Sequence, residues 1–449
     1  MEHLYKIKKG LDLNLEGAAE LTLREAPASK VYAIAPSDFH GVTPRLLVKE
    51  GDRVLAGSPL FVDKATEKVN VVSPVSGTVQ AIERGERRKL LYIRIAADAV
   101  QESKTFECDL EKAGAEEVMN LLLEAGLFAY FHQRPYDVTA SPLDTPKAIF
   151  VSAFSKMPLA ADFSFVAAGQ EEDFKLGVKT LAKLAKVHVG ISPAQINTAI
   201  LPLAEAEVGV FDGPNPAGNV GVQINHVSPV NKGEVVWTLS PEETIFVGRL
   251  VRTGKVDLTR RIAVAGSQVK QPAYLQVMSG APMADILAGQ LETTEHVRII
   301  DGNPLVGRKS CLEAFLGAHT TEVCAIPEGD DKHEVFGWIA PRFNDFSTSR
   351  SYFSWLFGRS KKYDLDCRIK GGERHMIMSA EYERVFPMDI YPSYLIKALV
   401  TGDIDRQEAL GIYEVAPEDF AVAEFIDSSK LELQRIVREG LDLLRKENS

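Results

Sequence analysis

Residues 48–64, VKEGDRVLAGSPLFVDK, and 69–95, VNVVSPVSGTVQAIERGERRKLLYIRI, decide the fold of the first part of the chain. Short Val/Ile/Leu runs alternate there with turn signals at Gly51-Asp52, Ala56-Gly57-Ser58-Pro59, Ser73-Pro74 and Ser76-Gly77. Runs of that length bounded by such turns read as strands, so residues 31–97 are expected to be all-β. The two halves read as a quasi-symmetric sandwich of hairpins.

Moving outward, the pattern changes period. AGAEEVMNLLLEAGLFAYF (113–131) places Val118, Leu121, Leu122, Ala125 and Phe128 on one helix face, with Gly126 interrupting late. FHQRPYDVTASPLDTP (131–146) reads as loop, because Pro135, Pro142 and Pro146 break helices. AIFVSAF (148–154) reads as a buried strand. EEDFKLGVKTLAKLAK (171–186) follows as an amphipathic helix with Phe174, Val178, Leu181 and Leu184 on one side, and VHVGIS (187–192) as the next strand. Strand, helix and strand in that order predict a parallel, doubly wound, Rossmann-like unit, although no GxGxxG follows a strand. Residues 259–306 read as a small mixed β unit, with a helix starting near Ala281-Pro282 whose apolar face holds Met283, Ile286 and Leu287. That layout resembles the β-grasp (SLBB-like) module of redox-complex subunits and polysaccharide-export proteins. From Tyr382 the chain reads as helical. PSYLIKALVTGD (392–403) and SSKLELQRIVREGLDLLRKE (428–447) carry helical spacing, the latter with a stripe of Leu431, Leu433, Ile436, Val437, Leu441 and Leu444. The fold class is therefore a multidomain α+β and α/β chain. Its units are expected at 1–100 (sandwich), 101–255 (connector and α/β), 256–330 (β-grasp) and 331–449 (a basic, aromatic segment and helices).

Length and charge narrow the function. A chain of 449 residues suggests two to four domains. A net charge of -11 argues against nucleic acid and against adhesion to anionic lipid. No run approaches about 18 apolar residues and no apolar segment follows MEHLYKIKKG, so neither a membrane span nor a signal peptide is expected, and cytoplasm is the default. Cys108, Cys311, Cys324 and Cys367 form no CxxC, so local zinc and iron–sulfur patterns are missing.

Three segments carry a functional reading beside a plain structural one. The sandwich resembles the biotinyl/lipoyl carrier domain, and Asp63-Lys64-Ala65 stands where such domains present a modified lysine. A carrier role for Lys64 competes with a surface lysine on a borrowed fold. DGPNPAGNVG (212–221) follows the strand VGVF, and a Gly-rich loop there can cradle phosphate, but Pro214 and Pro216 remove two donors, which favours a structural elbow. Segment 341–375 holds eight Arg/Lys against four acids, plus seven aromatics, in an otherwise acidic chain. Arg350, Phe353, Trp355 and Phe357 are its candidates for docking a partner, against an internal junction as the plain reading.

An ordered set of phrases points to one family: Ile7-Lys8-Lys9-Gly10-Leu11-Asp12-Leu13, Val48-Lys49-Glu50-Gly51-Asp52-Arg53-Val54, Leu60-Phe61-Val62-Asp63-Lys64, Ser73-Pro74-Val75-Ser76-Gly77, Arg84-Gly85-Glu86-Arg87-Arg88, Phe211-Asp212-Gly213-Pro214-Asn215-Pro216-Ala217-Gly218 and Val335-Phe336-Gly337-Trp338. Along nearly its whole length the chain resembles the A-subunit family of the Na+-translocating NADH:quinone reductase (Na+-NQR). The resemblance implies a fold similar to the NADH-binding subunit of complex I and to its counterpart in the Rnf complex. Those relatives hold FMN and iron–sulfur clusters. This family does not, and here Ala423-Glu424-Phe425-Ile426-Asp427-Ser428-Ser429 lacks even a remnant cysteine.

The resemblance further implies a peripheral subunit on the cytoplasmic face of the bacterial inner membrane, in contact with the membrane through membrane-embedded and flavin-carrying partners. NADH, FAD, FMN and iron–sulfur groups would belong to those partners, none to this chain, and no catalytic residue or metal ligand is assigned. A quinone-binding role is attributed to this family. Such a site needs flat apolar walls and one or two donors for the carbonyl oxygens. Two aromatic loops offer them, with Phe39 and His40 on one and Phe131, His132, Arg134 and Tyr136 on the other. A lipoyl-type carrier using Lys64 and a soluble nucleotide-binding enzyme using 208–221 are the alternatives.

Overall fold

The computed structural model describes residues 3–107, 109–333, 345–348, 352–357 and 361–448. Arg350 lies outside them, as do Cys108, Arg342, Phe343, Arg359, the phrase Val335-Phe336-Gly337-Trp338 and the side chain of Phe357.

A seven-stranded sheet organises the centre. Its strands are β1 (His3–Lys6), β2 (His132–Arg134), β3 (Val138–Thr139), β4 (Ile149–Ser152), β5 (Val187–Ile191), β6 (Ala206–Asp212) and β7 (Val236–Thr238), in the order β1-β6-β5-β4-β7-β2-β3. The core pairs β1–β6, β5–β6, β4–β5 and β4–β7 are parallel, and β2 closes antiparallel onto β7. Helices α1 (Glu171–Leu181), α2 (Val220–Val227) and α3 (Pro241–Thr253) cover the two faces. Ile149 and Val151 pack with Phe174, Val178 and Ile245 of α1 and α3, whereas Phe150 turns to Ile224 of α2. Burial on both faces is why β4 and β5 read as continuous apolar runs.

Two expectations change here. The helix expected across 113–131 is Ala115–Glu124; Gly126 ends it in a left-handed conformation (φ 72°), and a 3-10 turn over Leu127–Tyr130 carries the chain on. The stretch 131–146, expected as loop, contains β2 and β3. Pro135 falls just past β2, where its missing N–H breaks no ladder bond, and β2 is held by its distant partner through His132↔Thr238, Gln133↔Trp237 and Arg134↔Val236.

The sandwich consists of a four-stranded sheet (Val31–Ile34, Leu90–Ala97, Gly77–Arg84, Arg53–Val54) and a three-stranded one (Pro44–Leu46, Pro59–Asp63, Asn70–Val72). Val79 sits opposite Ile95, and both are buried. A six-stranded mixed sheet built around Thr259–Ala265 and Ala273–Met278 forms the third unit, and the early strand Glu20–Glu25 completes its edge. At the C-terminus, α4 (Leu433–Glu447) buries Leu433, Val437, Leu441 and Leu444 in one cluster with Leu395, Leu399, Ile7 and Phe211. The first and last parts of the chain thus share a core with β6. Among the described residues no helix is long and apolar enough to cross a membrane.

Candidate functional site at the carboxyl edge of the sheet

From β4 the chain winds outward through β5 and β6, then returns past β4 to form β7. The connections on either side of β4 leave in opposite directions, so a crevice opens beyond the carboxyl ends of β4 and β7, the place where doubly wound sheets hold ligands. A cavity of about 600 Å³ fills that crevice. Its walls include Ser152 and Phe154 at the end of β4, Gly218–Val220 at the start of α2, and Thr238–Glu243 from β7 into the first turn of α3. Asp38 enters from the sandwich, Asp301, Arg308 and His319 from the third unit, and Glu418 and Gln434 from the C-terminal helices. Phe154, Met157, Phe163, Val166 and Leu239 supply apolar surface.

Ser240 caps α3, accepting from the Glu243 amide at 3.2 Å, while a Glu243 carboxylate oxygen accepts from the Ser240 amide at 3.1 Å. The other oxygen of Glu243 lies 2.6 Å from His319 Nδ1. Burial alone would raise the Glu243 carboxyl, but His319 and Arg260 hold it below its ordinary value. It is therefore ionised and only accepts, so His319 Nδ1 carries the proton. His319 lines the cavity, and its Nε2 is buried with no partner among the described residues. The His132 ring stands edge-on to His319, centroids 4.7 Å apart, and burial together with His319 pushes it down to about 4. His132 is neutral at pH 7.

The arginines on the wall are engaged. Arg134, fully buried, donates to Asp419 at 2.9 Å, to the Glu414 carbonyl at 3.0 Å and to Glu418 at 3.2 Å. Burial and the neighbouring Asp419 push the Glu418 carboxyl well up, against the pull of Arg134. Arg308 bridges Asp38 (2.9 Å) and Asp301 (3.0 Å), tying the sandwich to the third unit. Arg261 donates to the carbonyls of Val166 (3.0 Å) and Ala168 (2.6 Å).

Of the six residues expected to hold quinone, His132 and Arg134 line this cavity. Phe39 is buried behind it, its ring 5.6 Å from that of His319, and Phe131 packs on Phe128 and Trp237. His40 pairs with Asp442 at 2.9 Å and Tyr136 packs against Tyr413, both away from the cavity wall. Sequence reading missed Asp38, Glu243 and His319. Only Ser240-Pro241-Glu242-Glu243 carried a signal, a capping box directly after a strand.

The other singled-out segments are also placed. Lys64 is exposed on the turn between Pro59–Asp63 and Asn70–Val72, and the Asp63 carboxylate holds that turn by accepting from the amides of Thr43 and Thr66, each at 3.0 Å. In the 212–221 loop the Asn215 amide donates to Asp12 (2.9 Å), and the Ala217 and Asn219 amides donate within the loop. Those donors bind the N-terminal segment and the loop itself, as an elbow does. Phe353 and Trp355 are exposed on a short helix, Ser354–Phe357.

Comparison with known proteins gives a consistent set. Family models described as the NqrA N-terminal barrel-sandwich hybrid domain, the NqrA second alpha/beta domain and the NQRA C-terminal domain match residues 5–98, 113–256 and 261–311. The chain is 37% identical over 452 residues to the Na(+)-translocating NADH-quinone reductase A-subunit of Serratia proteamaculans, covering 99% of this chain and 100% of that one. It is 36% identical to the A-subunit of Marinomonas sp. and 35% identical to that of Neisseria meningitidis, with the same coverage.

Proposed function

Because this chain belongs to the A-subunit family of the Na+-translocating NADH-quinone reductase, we propose that it is the peripheral subunit that holds the quinone head group, in the cavity at the carboxyl edge of the α/β sheet. The charge of the wall carries this reading. Asp38, Asp137, Glu243, Asp301 and Glu322 outnumber Arg134, Arg261 and Arg308, which already have partners. A dinucleotide or flavin phosphate would meet net negative potential there, whereas a neutral ring finds apolar surface and an unsatisfied ring nitrogen of His319. In this reading NADH, FAD, FMN and iron–sulfur groups reside on partner subunits. The chain sits on the cytoplasmic face of the bacterial inner membrane, reaching the membrane through those partners. Exposed Phe353, Trp355 and Leu356 offer them an apolar contact.

Titration of the full chain with ubiquinone-1, NADH and FMN tests the assignment. Saturable binding of ubiquinone-1 alone is expected. Binding of NADH or FMN without quinone would replace it with a nucleotide site. An intact mass from the native source equal to that of the unmodified chain removes the carrier reading of Lys64.

A further inference from the structure

His319 is one group in the cavity whose chemistry is left unspent. Its Nδ1–H is directed at the Glu243 carboxylate 2.6 Å away, and Glu243 is itself fixed by the cap of α3. The ring is held edge-on by Phe39, Tyr130 and His132, with centroids 5.6, 5.3 and 4.7 Å away, so it is clamped in direction. That leaves Nε2, a buried atom without a partner among the described residues, on a side chain that lines the cavity. An orphaned buried polar atom costs stability, and a ligand that satisfies it recovers the loss.

We propose that His319 Nε2 is the hydrogen-bonding partner of one quinone carbonyl oxygen, with Glu243 as its positioning residue. This rests on the quinone reading above. The same nitrogen serves both redox forms of the ligand. With the ring protonated, Nε2–H donates to the carbonyl of the quinone. With the ring neutral and Nδ1–H kept on Glu243, Nε2 accepts from the hydroxyl of the quinol. His132, neutral beside it, adds no second charge to the site.

The test uses the full chain and ubiquinone-1, read by its dissociation constant and by the carbonyl stretch of the bound quinone in isotope-edited infrared spectra. In the unsubstituted chain one carbonyl band is expected to move to lower frequency. His319→Phe is expected to return that band to its free position and to weaken binding about 10- to 100-fold, the range for a hydrogen bond to a charged group. Glu243→Gln, which keeps the ring but removes the charge behind it, is expected to shrink the band shift. It keeps the test decisive if His319→Phe does not fold. Binding by the unsubstituted chain with band and affinity unchanged in the variants overturns this proposal and leaves the quinone reading standing. No binding by the unsubstituted chain overturns both.

Discussion

Arg134 shows how far a residue's role depends on what encloses it. In sequence it is a donor on an aromatic loop; in the fold it is a buried cation shared by Asp419, Glu418 and the Glu414 carbonyl. Removing one member of such a group strands the others, so Arg134→Ala is expected to lower stability by about 3–5 kcal/mol in urea unfolding. The double change Arg134→Met with Asp419→Leu should cost less than the two single losses added together. His132 gives a pH prediction. Unfolding frees its imidazole, held at about 4 in the fold, to bind a proton at its ordinary value of about 6.5. Its contribution is therefore fully present above about pH 6.5 and is lost as pH falls toward 4, on the order of 3 kcal/mol in all. Glu418, raised in the fold, acts in the opposite sense, losing stability as pH rises above the ordinary carboxylate range. The stability of the unsubstituted chain relative to His132→Gln, from urea unfolding at pH 5 and at pH 7, isolates the histidine: the difference should be larger at pH 7 than at pH 5.

Among the elements, α3 carries the most consequence for the site. It presents Glu242 and Glu243 from its first turn, and it reaches that position by packing against α1 at glycines. A Cβ on Gly248 would stand 1.8 Å from the Asp173 carbonyl oxygen, and one on Gly177 2.0 Å from that of Thr244. Both obstacles are backbone, so neither helix yields locally. Gly248→Ala is expected to cost about 1–3 kcal/mol in urea unfolding and, by moving the first turn of α3, to weaken ubiquinone-1 binding as well. Helix α4 makes the complementary case. Its stripe was legible from spacing alone, and Leu433, Val437, Leu441 and Leu444 are fully buried. Leu441→Ala should cost about 2–5 kcal/mol and leave the cavity wall intact.

Across the whole molecule, three units and the C-terminal helices converge on one cavity, and Arg308 and Arg134 are among the ties that hold them there. Assembly with partners belongs to this scale. Trp355→Ala is expected to reduce co-purification of other subunits from mild-detergent extracts while leaving the melting temperature of the isolated chain unchanged; loss of folding would place Trp355 in an internal junction instead. The sequence by itself determined the succession of β, α/β, mixed β and helical stretches, the buried stripe of α4, the missing cysteine motifs and the family, because periodicity, turn chemistry and ordered phrases are local properties of a chain. It brought His132 and Arg134 forward as candidates for their donors but set them beside His40 and Tyr136, which face elsewhere. Only the tertiary structure decided that β2 pairs with β7, that the first strand joins β6, and that Asp38, His132, Glu243, His319 and Glu418 meet. Residues so far apart in sequence share no pattern; which strand edges and helix ends come together is set by how separately formed units pack, and that packing makes the cavity.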